Sequence, residues 1–263
     1  MTDALAPLRE RYAHWLRLDP SQVRDDREQA AHDIRAMQLV LRMERADPPS
    51  WHRALAAAAI GAAALCADSR SEPGGEWFDA MADYCRGHIR KVTRRARGAH
   101  WVAAQDLPGI TIERAGTQVR ALLPGLVSEL DPRISRLQVG GTDVAPDEPP
   151  VAGAGDATAL RVWLAPTPAM TLGKAMAQAG HAGMIAIALL AEANPGVLAD
   201  WRTAGLPAVA RRASADEWSE LTARAADAGG FAETGTLAVR DAGFTEVEPG
   251  TITVIAQAPG IAG

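Results

Sequence analysis

The same order of segments occurs twice along this chain. RRARGAHW begins at Arg94 and RRASADEW at Arg211, so Trp101 and Trp218 stand 117 residues apart. Neighbouring segments pair at nearly the same shift: AMQLVLRM with LRVWLA, WFDAMADYCRGHIRKVTRRA with VLADWRTAGLPAVARRA, QVRALLPG with LAVRDAG, and ISRLQVGG with TITVIAQA. Each match is short, but the shared order points to two copies of one small fold, each about 115 residues long. Coincidence between arginine- and alanine-rich segments is the competing explanation.

The second copy has the simpler pattern. LRVWLA reads as a strand and residues 171–193 as a long helix, ended by Asn194-Pro195-Gly196. A shorter helix over 197–204, a strand within LPAVARRA and a helix over 215–228 follow. GTLAVR and TITVIAQA are two further strands, separated by DAGFTEVEPG. Strands alternating with helices predict an α/β layer in which helices cover a mixed sheet. Ahead of this, Leu8, Tyr12, Trp15 and Leu16 fall at helical spacing, so residues 4–18 read as an amphipathic helix ended by Asp19-Pro20. A charged helix over 22–33, the buried strand AMQLVLRM and an alanine-rich helix over 51–67 come next. Residues 143–159, DVAPDEPPVAGAGDATA, have no apolar period and read as a linker. Extended, it spans roughly 50 Å, enough to join two complete domains. The expected organisation is therefore N-terminal helices over 1–34, a first repeat over 35–142, the linker over 143–159 and a second repeat over 160–263.

Composition narrows the function classes. Hydrophobic residues make up 48% and charged residues 22%, which permits a core and argues against wholesale disorder. A net charge of -5 means that any nucleic-acid contact must come from a local basic patch. Cys66 and Cys85 fit no zinc spacing and no disulfide framework, so no metal is expected. The N-terminal MTDALAPLRERYAHW carries charges where a secretion signal needs an apolar run, and the apolar run 54–67 is too short to span a bilayer. A cytoplasmic protein without a membrane partner is the expectation. Pro168 and Ala175 break a P-loop reading, and Gly153-Ala-Gly155 lacks a third glycine and lies in the linker. No G-x-S-x-G or H-E-x-x-H occurs, and no cofactor is expected.

Two clusters can carry chemistry. In MTLGKAMAQAGHA, residues 170–182, Lys174, Gln178 and His181 fall at i, i+4 and i+7 on one helix face. Gly173 opens that helix, where free N–H groups favour an anion or a polarised oxygen. A cation there does not stabilise the helix, so Lys174 is placed for a ligand, although spacing alone favours a solvated lysine and glutamine on a surface face. In DAGFTEVEPG, Asp241 follows an apolar strand at the edge where α/β proteins gather functional groups, with Thr245 in the loop beyond and Glu246 and Glu248 read as solvated. In isolation Asp241-Ala-Gly fits a plain turn.

Together the two clusters give residues 160–260 a resemblance to the type 2 peptidyl-tRNA hydrolases. Met170, Gly173, Lys174, Ala177, Gln178, His181 and Ala182 match the first part of that family's signature. Asp241, Ala242, Gly243, Thr245, Pro249, Gly250, Thr253 and Val254 match the second. The family's Arg and Asp before the Met would fall on Ala165 and Thr167, so both charges are missing. In the first repeat Arg42 and Glu44 stand roughly where those charges would lie, but residues 51–67 offer only His52 and Arg53 near their start. The first copy is therefore read as degenerate, and the chain as a monomeric fused pseudo-dimer or a homodimer.

The resemblance implies hydrolysis of the ester joining a peptide to the terminal ribose of tRNA. Asp241 would hold or deprotonate the attacking water, Lys174 would stabilise charge on the carbonyl oxygen or a phosphate, and Thr245 and Gln178 would fix water and substrate. Gly173 and His181 are placed on the substrate side, His181 as a packing residue rather than a base. For the tRNA body, residues 86–97 supply a basic run that includes Arg94 and Arg95, with Arg211 and Arg212 as the matching pair. A solvated face is the plain alternative for that run. The rival to the enzyme is a non-catalytic tRNA- or protein-binding protein on the same fold, which turnover would separate.

Overall fold

The computed structural model describes residues 3–19, 22–23, 30–149, 156–227 and 230–260. The expected helix over 22–33 falls mostly outside these residues. So does the middle of the expected linker.

Two four-stranded arrangements share one order. In the first sheet, β1 (Arg35–Arg42) runs parallel to β2 (Arg90–Ala96) and antiparallel to β4 (Thr117–Leu122), with β3 (Gly109–Arg114) at the far edge. The short β5 (Gly125–Leu126) pairs with the start of β1. In the second sheet, β6 (Leu160–Leu164) runs parallel to β7 (Ala208–Arg212) and antiparallel to β9 (Ile252–Gln257), with β8 (Thr236–Arg240) at the far edge. Each parallel pair is bridged by a long helix and a shorter one: α2 (Trp51–Ala67) and α3 (Phe78–Arg86), then α6 (Leu172–Ala193) and α7 (Pro195–Thr203). In each half one more helical stretch precedes the far-edge strand: α4 (Gly98–Gln105) in the first, α8 (Ala215–Ala225) and α9 (Gly230–Thr234) in the second.

This order corrects part of the sequence pairing. QVRALLPG forms β4, the neighbour of β1, so its topological counterpart is β9 and not LAVRDAG. The counterpart of β8 is GITIER, a short strand whose alternation rests on Ile110 and Ile112 alone. ISRLQVGG is not a ladder strand: α5 (Pro132–Ser135) ends within it, and Gln138 makes only an isolated bridge to Arg95.

Helices α2 and α6 pack on each other between the sheets. Each also reaches the other half: α2 lies against β7, and α6 against β2. Small side chains make this possible. A Cβ on Gly183 would stand 2.1 Å from the carbonyl oxygen of Ala59, so the helices touch backbone to backbone. By length and composition α6 is apolar enough to cross a membrane, but here it is a mostly buried central helix. Strand alternation explains the layers. Leu39 and Leu41 of β1 join the central core, while Val40 faces outward beneath Trp101 and Ile134. In β6, Val162 and Leu164 face inward and Trp163 outward, beneath Leu221 and Trp218. Trp101 and Trp218 thus cover the outer faces of β1 and β6.

The N-terminal helix α1 (Ala6–Trp15) docks on the free edge of β8. The Tyr12 hydroxyl donates to the carbonyl of Ala238 at 3.0 Å and accepts from its N–H at 2.9 Å. Arg240 donates to the carbonyls of Trp15, Leu16 and Leu18, at the helix end where a cation is favoured.

Candidate functional site

The start of α6 and the loop after β8 meet at one polar cluster. Thr171 caps α6 by accepting from the N–H of Lys174 at 3.2 Å. One turn of helix then separates Lys174 from Gln178, so both side chains reach the same point. Lys174 Nζ donates to Asp241 Oδ2 at 2.6 Å and to Thr245 Oγ1 at 3.2 Å. Gln178 Nε2 donates to the same Asp241 oxygen at 2.6 Å, while its Oε1 accepts from Thr253 Oγ1 at 2.6 Å. The Lys174 and Asp241 side chains are each only 9% exposed.

The loop holds Asp241 by its own turn. Asp241 Oδ1 accepts from the N–H of Gly243, and its carbonyl accepts from Gly250 N–H. Gly243 has φ +72, and a Cβ there would strike Pro249 at 2.4 Å, so the fold-back needs glycine. Glu246, read from sequence as solvated, instead ties loop to helix: it accepts from Thr171 N–H at 3.0 Å and Thr171 Oγ1 at 2.8 Å.

Thus the structure brings Lys174, Gln178, Asp241 and Thr245 together, with Thr253 as their buried support. Gly173 lies beside them, but its N–H donates to Thr142 Oγ1 at 3.1 Å and its carbonyl accepts from Thr93 Oγ1 at 2.8 Å. The expectation of free donors at this helix start is corrected: Thr142 from the first half takes the Gly173 N–H and Thr171 takes that of Lys174. The expected linker is likewise anchored near its start, where Asp147 accepts from His52 Nδ1 at 2.8 Å.

Arg94, Arg95, Arg211 and Arg212 do not line this site. A strand sends successive side chains to opposite faces, so the arginine pairs are split. Arg94 donates outward to Gln38 and to the Leu137 carbonyl, each at 2.8 Å, and Arg95 donates to Gln138. Arg211 binds Glu217, holding that carboxyl down to about 2, and Arg212 lies over the Trp51 ring. Arg42 and Glu44 pair with each other at 3.1 Å, and neither reaches the cavity beside Lys174.

That cavity, about 380 Å³, lies between α1, β2, α6 and the 241–246 loop. Its size is that of a small-ligand site. Its walls include residues that the sequence assigned to other roles or to none: Leu8 and Trp15 from the amphipathic helix α1, Lys91 from the basic run in β2, and Phe244. Lys91 Nζ lies 3.4 Å from His181 Nδ1, 3.4 Å from the Tyr84 hydroxyl and 3.5 Å from Met184 Sδ. Burial pushes the Lys91 ammonium down to about 8. Burial, with Lys91 and Lys174 nearby, holds the His181 imidazole well below its ordinary range, so it is neutral. Phe244 is 52% exposed, with the Arg90 guanidinium 5.3 Å from its ring centre. Among the described residues no group of three or more His, Cys, Asp or Glu side chains is placed to hold a metal ion.

The first half differs at the same topological point. The loop corresponding to 241–250 is a tight turn at Ala115-Gly116 between β3 and β4, with no carboxylate. Arg53, at the start of α2, donates to the Ala115 carbonyl at 3.3 Å.

The fold and the site define a mixed-sheet α/β domain with a helix-borne lysine and glutamine converging on a loop aspartate beside a cavity. Residues 160–262 match the family model described as peptidyl-tRNA hydrolase PTH2. No curated protein and no solved structure matches the chain.

Proposed function

We propose that the second half hydrolyses the ester of peptidyl-tRNA, releasing peptide and free tRNA, in a cytoplasmic protein. The observation that carries this reading is the convergence of Lys174 and Gln178 on Asp241 within the segment that matches the hydrolase family. Lys174 and Gln178 both occupy Oδ2, which leaves Oδ1, already accepting from Gly243, as the oxygen that can still take a water. Asp241 then orients that water toward the ester carbonyl. Lys174, with Thr245 beside it, stabilises the oxyanion that forms. The ribose hydroxyl leaves with a proton, and the peptide leaves as a carboxylic acid. His181, held neutral, serves in the wall.

The shared strand order supports an internal duplication in which the first half has lost its own site and acts as the fixed partner of the second. The tRNA end approaches past the exposed Phe244 ring, which offers a face for a base, and Arg90 beside it offers a phosphate contact. Full-length protein incubated with N-acetyl-aminoacyl-tRNA should release the acyl group. A protein that shifts tRNA in a gel yet releases nothing would be the non-catalytic binder instead.

A further inference from the structure

The cavity does not end at Lys174. It continues along α6 past the wall at His181, seven residues on and about 10 Å along the helix axis, to Ile185. An extended peptide advances about 3.4 Å per residue, so an acyl chain leaving the ester at Lys174 brings its second or third residue level with that wall. The lining includes Leu8, Ile89, Val92, Ala177 and Ile185, with Arg11, Arg90 and Arg240 as further cations. Among the lining residues the carboxylates are Asp241 and Glu246, and both are engaged, by Lys174 with Gln178 and by Thr171. Lys91 differs. Its acceptors, Tyr84, His181 and Met184, are all neutral, and among the described residues no carboxylate pairs with it.

We propose that this cavity holds the acyl chain of the substrate and that Lys91 makes it select apolar or acidic residues there over basic ones. The inference rests on the hydrolase reading and adds the acyl chemistry to it. An ammonium in an apolar wall without a counter-charge attracts a carboxylate and repels a second cation, and at an effective dielectric near 20 the difference amounts to roughly tenfold or more in affinity. Its low proton affinity agrees with that lack of a counter-charge. The selecting residue comes from the first half, outside residues 160–262. The half without a site of its own would thereby set specificity for the half that has one.

The test uses full-length protein and tRNAs carrying N-acetyl tripeptides X-X-Phe, with X as Leu, Glu or Lys. The expected kcat/KM for the lysine substrate is about tenfold below that for leucine, with glutamate at or above leucine. Lys91→Met should raise the lysine substrate toward leucine and lower the glutamate one. Calorimetric binding of the three free N-acetyl tripeptides should follow the same order. Peptide binding in that order without turnover of any tRNA substrate would sink the hydrolase reading and leave the cavity assignment standing. Turnover indifferent to X, discrimination that survives Lys91→Met, or binding of none of the peptides would overturn the cavity assignment.

Discussion

The Nζ of Lys91 lies 3.4 Å from Nδ1 of His181, and the two residues come from opposite halves of the chain. The contact is possible because Gly180 leaves room: a Cβ there would stand 2.9 Å from Cδ of Lys91. Burial lowers the Lys91 ammonium from its ordinary 10.5 to about 8. Between those values the unfolded chain holds more protons than the folded one, so stability rises with pH across that window. Below about pH 8 the full penalty applies, on the order of 3 kcal/mol. Lys91→Met should therefore be more stable than wild type at pH 7, with the gap closing between about pH 8 and 10.5. Paired denaturant melts across that range measure it; a constant gap would refute the assignment.

Lys174→Ala and Asp241→Asn should each reduce kcat/KM on peptidyl-tRNA by about a hundredfold or more, the scale of a lost oxyanion or water-orienting contact. Lys174→Ala also strands a nearly buried carboxylate, which costs about 3 kcal/mol in stability. Kinetics read together with thermal melts separate the two effects: Asp241→Asn should lose rate with a smaller loss of stability.

Arg53→Ala should leave hydrolysis within about twofold of wild type, since exposed substitutions away from a site change little. Arg53 faces only a backbone carbonyl where the second half has Asp241. A large loss of turnover would mean that the first half holds a working site after all.

Tyr12→Phe removes both the donor to and the acceptor from Ala238 on the open edge of β8. Two backbone groups lose their partner, at a cost of about 1–3 kcal/mol. Limited proteolysis should then cut within the first 20 residues faster than in wild type, while wild-type rates would show that the hydroxyl does not hold α1 in place.

Gly183→Ala should destabilise the whole protein by about 3 kcal/mol, because the added methyl meets a backbone carbonyl that cannot swing aside. Since α2 and α6 share one core, a single cooperative transition at lower denaturant is expected. A variant as stable as wild type would show that the helices can separate there.

Much of the second half was legible from residues alone. The expected helix 171–193 and strands within 160–165, 235–240 and 251–258 correspond to α6, β6, β8 and β9, because capping by Thr171 and long apolar runs are local signals. Lys174, Gln178 and His181 could be placed on one face by helical spacing. What spacing could not give was the partner of that face. Asp241 is 67 residues from Lys174, and only strand pairing across β8 and β9 carries it there. The arginine pairs show the opposite case. Read as charge they form a stripe, yet in a strand they alternate between faces and meet Gln38, Gln138, Glu217 and Trp51. Strand β3 is harder to read because only Ile110 and Ile112 carry its alternation, and both are only partly buried.

Residue order alone thus determined which segments coil, which extend, and which polar groups share a helix face, since those depend on neighbours within about a turn of chain. The tertiary structure decided that Leu8, Trp15 and Lys91 wall the cavity beside Lys174, and that Thr142 occupies the Gly173 donor in the first turn of α6. Those contacts depend on how two sheets pack across a shared helix pair. No local pattern encodes that packing, because it is set by side-chain volumes from distant parts of the chain, above all Gly183, which lets α2 and α6 touch.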